Sequence, residues 1–222
     1  MTIRLPLFPL SAVSFPGMPT RLHIFEERYK EMLRDCLDSD RKFATTLIKK
    51  GAEVGDNSPD LYPVGCILEI FAVQEISDGR MNVIAMGADR FMLNDVSDEK
   101  SYLTAELSVL QQDNGNAELS AEELAEQERQ LRHILNRYTV EILQGSDEEV
   151  RSVENAANPW NLGYLGASLW QGNQVIKQEL LTYRKLPELL RRVTGILRDE
   201  IRLNNLSKQG KNIASLGPFS NN

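Results

Sequence analysis

The sequence is poor in the residues that build metal, redox and nucleophilic sites. Its 222 residues include only two cysteines and two histidines. Cys36 falls on the apolar side of a predicted helix and Cys66 begins an apolar strand, so we interpret both as core residues rather than as a disulfide or redox pair. Neither His23 nor His133 has a second ligand at metal-binding spacing. We therefore predict that the chain holds no metal ion and no cofactor.

Signatures of nucleotide hydrolysis and of serine hydrolases are also missing. No Gly-x-x-x-x-Gly-Lys-Ser/Thr segment occurs, and this segment forms the phosphate cradle of many ATPases. No Gly-x-Ser-x-Gly elbow occurs either. The glutamates between residues 122 and 128 occupy the solvent side of a predicted helix, where no burial separates the pKa values of two carboxyl groups. We therefore predict no catalytic residue and no enzyme activity.

Long apolar runs are absent, and the charge is negative. No segment approaches the roughly 18 uncharged apolar residues of a membrane span. The first residues, Met1 to Pro6, lack the apolar stretch of a secretory signal, so we expect a cytoplasmic protein without a membrane partner. The formal net charge of -7 makes nucleic acid an unfavourable partner, because binding phosphates requires a cationic surface.

The first half of the chain has the patterns of short strands. Pro6 and Pro9 suit an edge strand or a strand entry, because proline cannot donate to a sheet ladder. Phe15-Pro16-Gly17 has the composition of a turn. Asp78-Gly79 between two apolar runs predicts a hairpin with a type I′ turn. The run before this turn is apolar on nearly both faces, which predicts a strand buried on both sides. Further strands are predicted over residues 43–48, 64–76, 81–93 and 102–110.

Helical patterns occur once in the first half and throughout the second. A stripe at helical spacing begins at Tyr29 and consists of Tyr29, Met32, Leu33, Cys36 and Leu37. The polar, unpatterned residues 111–116 are the best candidate for a domain boundary. Beyond it, capping boxes at Ser120/Glu123 and Ser146/Glu149, a break at Asn158-Pro159, a short helix from about Asn173 and a last helix opened by Pro187 are predicted. The end from Ser207 is polar and predicted to fray.

Several segments, in order, resemble the N-terminal, substrate-binding domain of Lon-type ATP-dependent proteases. The first two are Leu5-Pro6-Leu7-Phe8-Pro9 and Phe15-Pro16-Gly17, and the later ones are Leu22-His23-Ile24-Phe25-Glu26-x-Arg28-Tyr29, Val64-Gly65, Asp78-Gly79-Arg80, Gly87-x-x-Arg90-Phe91 and Lys177-Gln178-x-Leu180-Leu181. Together they extend over roughly residues 3–205. Glu27 departs from the pattern, since many relatives have proline there, and only the entry into the helix is affected.

The resemblance implies an α+β fold. An N-terminal subdomain of pseudouridine-synthase-associated (PUA-like) type, a β-barrel or sandwich over residues 1–111, would precede a helical bundle over residues 118–206 and a flexible tail over residues 207–222. Family members keep their catalysis in ATPase and peptidase domains that this sequence lacks. The Pro-x-Asp-Gly-Pro-Ser-Ala-Gly type segment of Lon peptidases is absent as well, because Arg80 follows Asp78-Gly79. The resemblance therefore transfers no catalytic residue.

The function that we predict is a non-catalytic module or adaptor that binds proteins or unfolded peptide segments. The sequence also leaves open that the protein self-associates. Candidate peptide-binding residues are Phe15 and Met18 in the turn and Glu27, Arg28 and Glu31 on the charged face of the first helix. Two alternatives remain. One is a small hydrolase whose site forms only in the fold, and the other is an RNA-binding protein of PUA-like shape.

Overall fold

The computed structural model of the chain describes residues 2–53, 59–114 and 119–215, without the side chains of residues 147–149 and 209–215. The strands in this part of the chain are β1 (Thr2–Leu10), β2 (Pro19–Ile24), β3 (Lys42–Lys50), β4 (Asp60–Leu61), β5 (Val64–Glu75), β6 (Met81–Ser97) and β7 (Leu103–Val109). The helices are α1 (Glu27–Leu37), α2 (Ala121–Tyr138), α3 (Asp147–Glu154), α4 (Pro159–Leu169), α5 (Gln174–Thr182) and α6 (Leu186–Ser215). A π-helical turn, Thr139–Leu143, follows α2.

Five strands each pair with two others of the same group, in the order β1, β7, β6, β5, β3 and back to β1. The return is made by β1, which pairs antiparallel with β7 through Thr2–Leu7 and parallel with β3 through Leu7–Leu10. This arrangement explains the two prolines of β1. Pro6 lies in the half that has only β7 as a partner, and Pro9 lies in the half that has only β3. Each half of β1 is therefore locally an edge, where a missing N–H is tolerated.

The hairpin between β5 and β6 forms where the sequence predicts it, but its turn is of another type. A type I′ turn requires positive φ at two successive residues, and only Gly79 has it, with φ of 77°. The amide of Gly79 donates to the carbonyl of Ile76 over 2.8 Å. The carboxylate of Asp78 accepts a hydrogen bond from the amide of Arg80 over 3.1 Å, which stabilises the turn locally. The result is a three-residue loop closed by a left-handed glycine.

The turn that ends at Gly17 rests directly on Gly87 of β6. The amide of Gly17 donates to the carbonyl of Gly87 over 2.8 Å, and the amide of Gly87 donates to the carbonyl of Met18 over 3.0 Å. A Cβ atom added at Gly87 would lie 2.0 Å from the carbonyl oxygen of Phe15. Two segments noted in the sequence, Phe15-Pro16-Gly17 and Gly87-x-x-Arg90-Phe91, are therefore two sides of one backbone contact.

The strands and helices bury three groups of apolar side chains. The predicted stripe of α1 packs on the sheet, with Tyr29, Met32, Leu33 and Cys36 all buried. A second group lies between β1, β3, β6 and β7. The third and largest belongs mainly to α2, α4, α5 and α6, and it also contains Phe15 and Val64 of the first half. Phe15 and Val64 therefore connect the sheet half to the apolar core of the helical half.

Helices α2, α4 and α5 of the second half begin at capping residues, but the last helix ends later than the sequence predicts. Ser120 and Glu123 form the predicted capping box. Asn158 and Asn173 cap α4 and α5 through their side-chain oxygens. The capping box predicted at Ser146 involves a glutamate whose side chain lies outside the described residues. The last helix continues to Ser215, so residues 207–215, which the sequence assigns to a tail, have helical backbone.

Arg90 of β6 joins the sheet to the helices. Its side chain is 1% exposed, and Nη1 donates to the carbonyl of Leu181, over 2.9 Å, and to the carbonyl of Tyr183. The guanidinium lies 5.3 Å from the ring centre of Trp160 on α4. Burial lowers the pKa of Arg90 from its usual value. The side chain thus binds the carbonyl groups at the end of α5 and contacts α4 from within the sheet.

Replacement of Gly87 by alanine should destabilise the fold. The new methyl group would force the turn at Phe15 away from β6, and overpacking of this kind costs about 1–3 kcal/mol. Gly195 provides the matched control, because nothing lies within 4 Å of a Cβ atom added there and it is inside α6. Gly195→Ala should stabilise the protein by up to about 1 kcal/mol. Urea unfolding followed by tryptophan fluorescence measures both, and equal effects of the two would contradict this account.

Replacement of Arg90 by methionine should lower the free energy of unfolding by about 2–4 kcal/mol. Methionine fills much of the same volume but leaves two buried carbonyls without donors, and an unsatisfied buried group costs about 1–3 kcal/mol. Arg191 is an exposed arginine on α6, so Arg191→Met should change stability by less than about 0.5 kcal/mol. The same unfolding measurement compares the two variants. If Arg90→Met lowered the free energy of unfolding no more than Arg191→Met, the role of Arg90 in joining the sheet to the helices would be refuted.

Candidate functional site

The two candidates in the first turn lie against the helical half. Phe15 is 1% exposed, and its ring stacks on Tyr164 of α4 with 5.9 Å between ring centres. Met18 is half-buried and packs against the same apolar core. A buried ring cannot contact a peptide in this conformation, so we leave Phe15 out of the candidate surface.

The three candidates on α1 form local pairs. Glu27 accepts from Lys30 over 2.8 Å, which lowers the pKa of the Glu27 carboxyl group. Arg28 donates to Glu26 over 3.0 Å. Glu31 accepts a hydrogen bond over 2.7 Å from a serine in the loop before β7. These contacts stabilise α1 and its surroundings, and they do not bring the three side chains together with Phe15 and Met18. Peptide binding by these residues stays a prediction.

Groups suited to metal or nucleophilic chemistry are scattered. In the ranges 2–53, 59–114 and 119–215, with the stated side chains excepted, no three His, Cys, Asp or Glu side chains lie close enough to hold a metal ion. His23 on β2 is exposed, with Nδ1 2.9 Å from the side-chain oxygen of Asn82, and His133 is exposed on α2. Cys36 and Cys66 are unbridged and buried, as the sequence predicts, and burial raises the pKa of both thiols, that of Cys36 to about 12.

An exposed apolar patch lies on the strands β2, β6 and β5, and the sequence reasoning missed it. The ring of Phe71 on β5 is 75% exposed, Phe25 directly after β2 is 48% exposed and Ile84 on β6 is 39% exposed. We call the surface formed by Arg21, His23, Phe25, Phe71, Ala72, Gln74, Asn82 and Ile84 the outer sheet face. Soluble proteins expose such groups of apolar side chains mainly at binding surfaces.

Strand register explains why these residues share one face. Arg21 pairs with Ile84 and Ile84 pairs with Ala72, so their side chains point to the same side of the sheet. The register between β5 and β6 shifts between Ile70 and Ala72, where Phe71 is the additional residue. Such a bulge sets two residues of one strand opposite one residue of the other. Phe71 points outward by ordinary alternation after the buried Ile70, and the bulge places Ala72 on the outer face as well, opposite Ile84.

The prediction that β5 is buried on both sides is correct only for its first half. Residues Val64 to Leu68 and Ile70 are buried, whereas Glu69 and the residues from Phe71 onwards are exposed or half-buried. The glutamates Glu69 and Glu75, on either side of Phe71, were the available signal in the sequence. An apolar run that contains charged positions at its ends is half-exposed more often than its apolar content alone indicates.

One edge of β2 has no strand beside it among the described residues. β2 pairs with β6 only. The amide of Gly87 donates to the carbonyl of Met18, and because antiparallel pairs alternate, Thr20, Leu22 and Ile24 direct their backbone groups to β6. The backbone N–H and C=O groups of Arg21 and His23 therefore point outward. An extended polypeptide can pair with these groups as an additional strand.

The hairpin loop borders this edge. Nη1 of Arg80 lies 3.4 Å from Nε2 of His23, and the same guanidinium forms an ion pair with Asp78 over 2.5 Å. Hydrogen bonds from Arg80 lower the pKa of Asp78 to about 2. The loop thus presents a neutralised pair of charges next to the exposed apolar side chains. The arrangement can bind an extended chain, and it brings together no nucleophile with a base.

Comparison with known sequences identifies relatives of most of the chain. A family model described as the ATP-dependent protease La (LON) substrate-binding domain matches residues 4–199. Lon protease 2 of Herpetosiphon aurantiacus is 26% identical over 205 residues, which are 90% of this chain and 24% of that protein. A LON peptidase N-terminal domain and RING finger protein of Schizosaccharomyces pombe is 37% identical over 95 residues, 38% of this chain and 19% of that protein. The matches thus span about a quarter or less of these relatives.

Solved structures have the same fold. A Lon N-terminal domain protein from Xanthomonas campestris superposes with a TM-score of 0.62 at 25% identity, over 87% of this chain and 98% of that one. The N-terminal domain of Mycobacterium avium complex Lon protease superposes with a TM-score of 0.70 over 89% of this chain and 99% of that one; at 14% identity it supports the fold alone. Within the described residues, every helix is too short or too polar to cross a membrane.

The buried cysteines should resist alkylation in the folded protein. A thiol with a pKa near 12 is almost wholly protonated at pH 8, and only the thiolate reacts. We expect iodoacetamide at pH 8 to modify Cys36 and Cys66 at least about 100-fold more slowly in the native protein than in guanidinium chloride, as measured by mass spectrometry. The control is Ser39→Cys, at an exposed position just after α1, which should react in the native state. Alkylation of Cys36 as fast as at position 39 would contradict this.

Proposed function

Because the chain belongs to the family of ATP-dependent protease La (LON) substrate-binding domains, we propose that it is a non-catalytic module that binds extended segments of other proteins. The observation that supports this most directly is the outer sheet face beside the open edge of β2. Phe71 supplies exposed apolar area, and the backbone of Arg21 and His23 supplies unpaired hydrogen-bonding groups. An unfolded polypeptide has free backbone groups that can pair with the edge of β2 and exposed apolar side chains that can cover Phe71.

The finer architecture is part of the same proposal. The sheet half, residues 1–111, is a PUA-like barrel, and the ring of pairings through β1 supports this. Residues 118–206 form a helical bundle on the shared apolar core. Of residues 207–222, which the sequence assigns to a tail, those up to Ser215 continue α6 and residues 216–222 lie outside the described residues. The module needs no cofactor, since it positions a polypeptide and transforms nothing.

Binding begins at the edge of β2 and extends over the apolar side chains. The segment forms hydrogen bonds with Arg21 and His23, and its side chains on the same face contact Phe25. Farther along, its apolar residues cover Ile84 and Phe71. Each exchanged hydrogen bond contributes about 1 kcal/mol, and the burial of one large apolar side chain about 1.5–3 kcal/mol. Side chains of the partner therefore supply most of the affinity.

The net charge of the protein indicates which partners it can bind. The net charge of -7 disfavours nucleic acid and favours polypeptide partners that are neutral or basic overall. We place the protein in the cytoplasm, as an adaptor that presents bound segments to another protein. A second copy of the chain could also pair at the edge of β2, so self-association would compete with peptide binding at one surface.

Variants of the outer sheet face test the proposal. Phe71→Ser removes the largest exposed ring, and we expect it to raise the Kd for fluorescein-labelled casein, an unfolded protein, about tenfold. Arg21→Pro removes an amide that points away from β6, so the strand should stay paired while the Kd rises about threefold to tenfold. Fluorescence anisotropy measures binding, and circular dichroism verifies that each variant is folded.

Val175 on α5 provides the matched control for Phe71. It is an apolar side chain with 54% exposure on the helical half, so Val175→Ser should leave casein binding unchanged. Equal binding of casein by the wild type, Phe71→Ser and Arg21→Pro would refute the proposed surface. Cleavage of casein by the purified protein would refute the non-catalytic function itself.

A further inference from the structure

A second candidate surface lies on the helices, between α2 and α6. It is a groove with a volume of about 280 Å³, lined by Ile134 and Arg137 of α2 and by Arg198, Ile201, Arg202 and Leu206 of α6. We call it the α2–α6 groove. Ile134 and Ile201 are buried at its base, whereas Leu206 is 54% exposed at one end. The apolar base therefore continues into an apolar side chain that contacts solvent.

Helix α6 exposes two apolar side chains where it runs beside the end of α2. Tyr138, at the end of α2, lies beside α6 at Glu200, to which its hydroxyl donates over 3.3 Å. Farther along, the π-helical turn ends at Leu143, but α6 continues to Ser215. Leu206, with 54% exposure, lines the groove together with Arg137 of α2, and Leu203, with 65% exposure, lies one helical turn before it on α6. Two exposed leucines three residues apart form the start of an apolar stripe.

The rim of the groove carries positive charge that is not neutralised internally. Arg198 and Arg202 are exposed and are one helical turn apart on α6, so their guanidinium groups lie on one side. Neither has an ion pair among the described residues, whereas Arg137 pairs with Glu141 over 2.9 Å. This local excess of positive charge occurs in a protein whose net charge is -7. Two adjacent guanidinium groups bind carboxylates well.

We propose that the α2–α6 groove binds an acidic amphipathic helix of a partner protein. Two packed helices leave a groove along their length that accepts the apolar stripe of a third helix. The apolar residues of the partner enter the groove between Ile134 and Leu206, and its glutamates or aspartates, one turn apart, meet Arg198 and Arg202. This interaction is independent of the outer sheet face, and it takes a folded helix instead of an extended chain.

The occupant belongs to another protein, because the acidic amphipathic helices of this chain are already packed. Helix α3, with four acidic residues and one arginine, buries Val153 in the helical core. Helix α2 buries Leu131 and Leu135 in the helical core. Neither can present its apolar stripe to a second copy without leaving its own core. The local charge at the rim, which comes from Arg198 and Arg202, attracts an acidic helix.

The test uses a synthetic 18-residue helical peptide with leucines at helical spacing and glutamates one turn apart on the flanking side. We expect saturable binding by fluorescence anisotropy that weakens as salt is raised from 50 to 300 mM, because exposed ion pairs are screened. A peptide with lysine in place of every glutamate should bind at least about tenfold more weakly. Equal binding of the two peptides would overturn the proposal.

The second part of this test reverses the charge of arginines on the protein. Arg198→Glu combined with Arg202→Glu should raise the Kd of the glutamate peptide at least about tenfold. Arg184→Glu combined with Arg191→Glu changes the net charge equally on exposed arginines outside the groove, and it should raise the Kd less than about twofold. Leu206→Ser should also weaken binding, whereas Phe71→Ser should not, which separates this groove from the surface for extended segments. Similar losses in the two double variants would overturn the proposal.

Sedimentation of the wild type and of Leu206→Ser determines whether the groove is instead used between copies. We expect both to sediment as the same species at equal concentration. A wild-type dimer that Leu206→Ser dissociates would identify a second copy as the occupant and overturn the acidic helix.

Discussion

The buried guanidinium of Arg90 is the interaction on which the arrangement of the two halves depends. Helix α5 ends at Thr182, and the last carbonyls of a helix lack partners within it and carry partial negative charge. Arg90 donates to two carbonyls at this end and lies over Trp160. Burial of a charge is costly unless such partners are present. Nη1 thus connects β6 to the end of α5, although Nε and Nη2 of Arg90 are buried without a hydrogen-bond partner among the described residues.

The strand that carries Arg90, β6, also pairs with β2 and so holds the strand whose outer edge is open. The first part of β6, Met81–Met86, pairs with β2, and the part from Phe91 to Ser97 pairs with β7. The change of partner occurs around Gly87, where the turn after Phe15 approaches too closely for any side chain. Because β7 occupies only the far part of β6, the near part is free to pair with β2, which has no other strand beside it in the described part of the chain. The contact between the halves and the binding surface thus depend on one strand.

Features that depend on neighbouring residues could be predicted from the sequence. The stripe of α1, the capping box at Ser120 and the hairpin at Gly79 are of this kind, because periodicity and turn chemistry are local. The exposure of Phe71 was missed because the run around it is mostly apolar, although the exposed Glu69, two residues before it, points to the same face. The pairing of β1 with both β7 and β3, the burial of Arg90 and the length of α6 depend on contacts across the fold. No pattern within a short window specifies them.

An exposed strand edge carries a risk of unselective pairing with other chains. Long, flat, apolar edges pair with other chains without selection, and proteins protect them by shortness, proline and charge. β2 has all three, since it is six residues long, begins at Pro19 and exposes Arg21. Only the backbone groups of Arg21 and His23 face outward with both donors and acceptors, so pairing alone is weak. A partner gains enough affinity only if its apolar side chains also cover Phe25, Ile84 or Phe71. In the proposed function, the edge thereby selects unfolded segments and releases them readily.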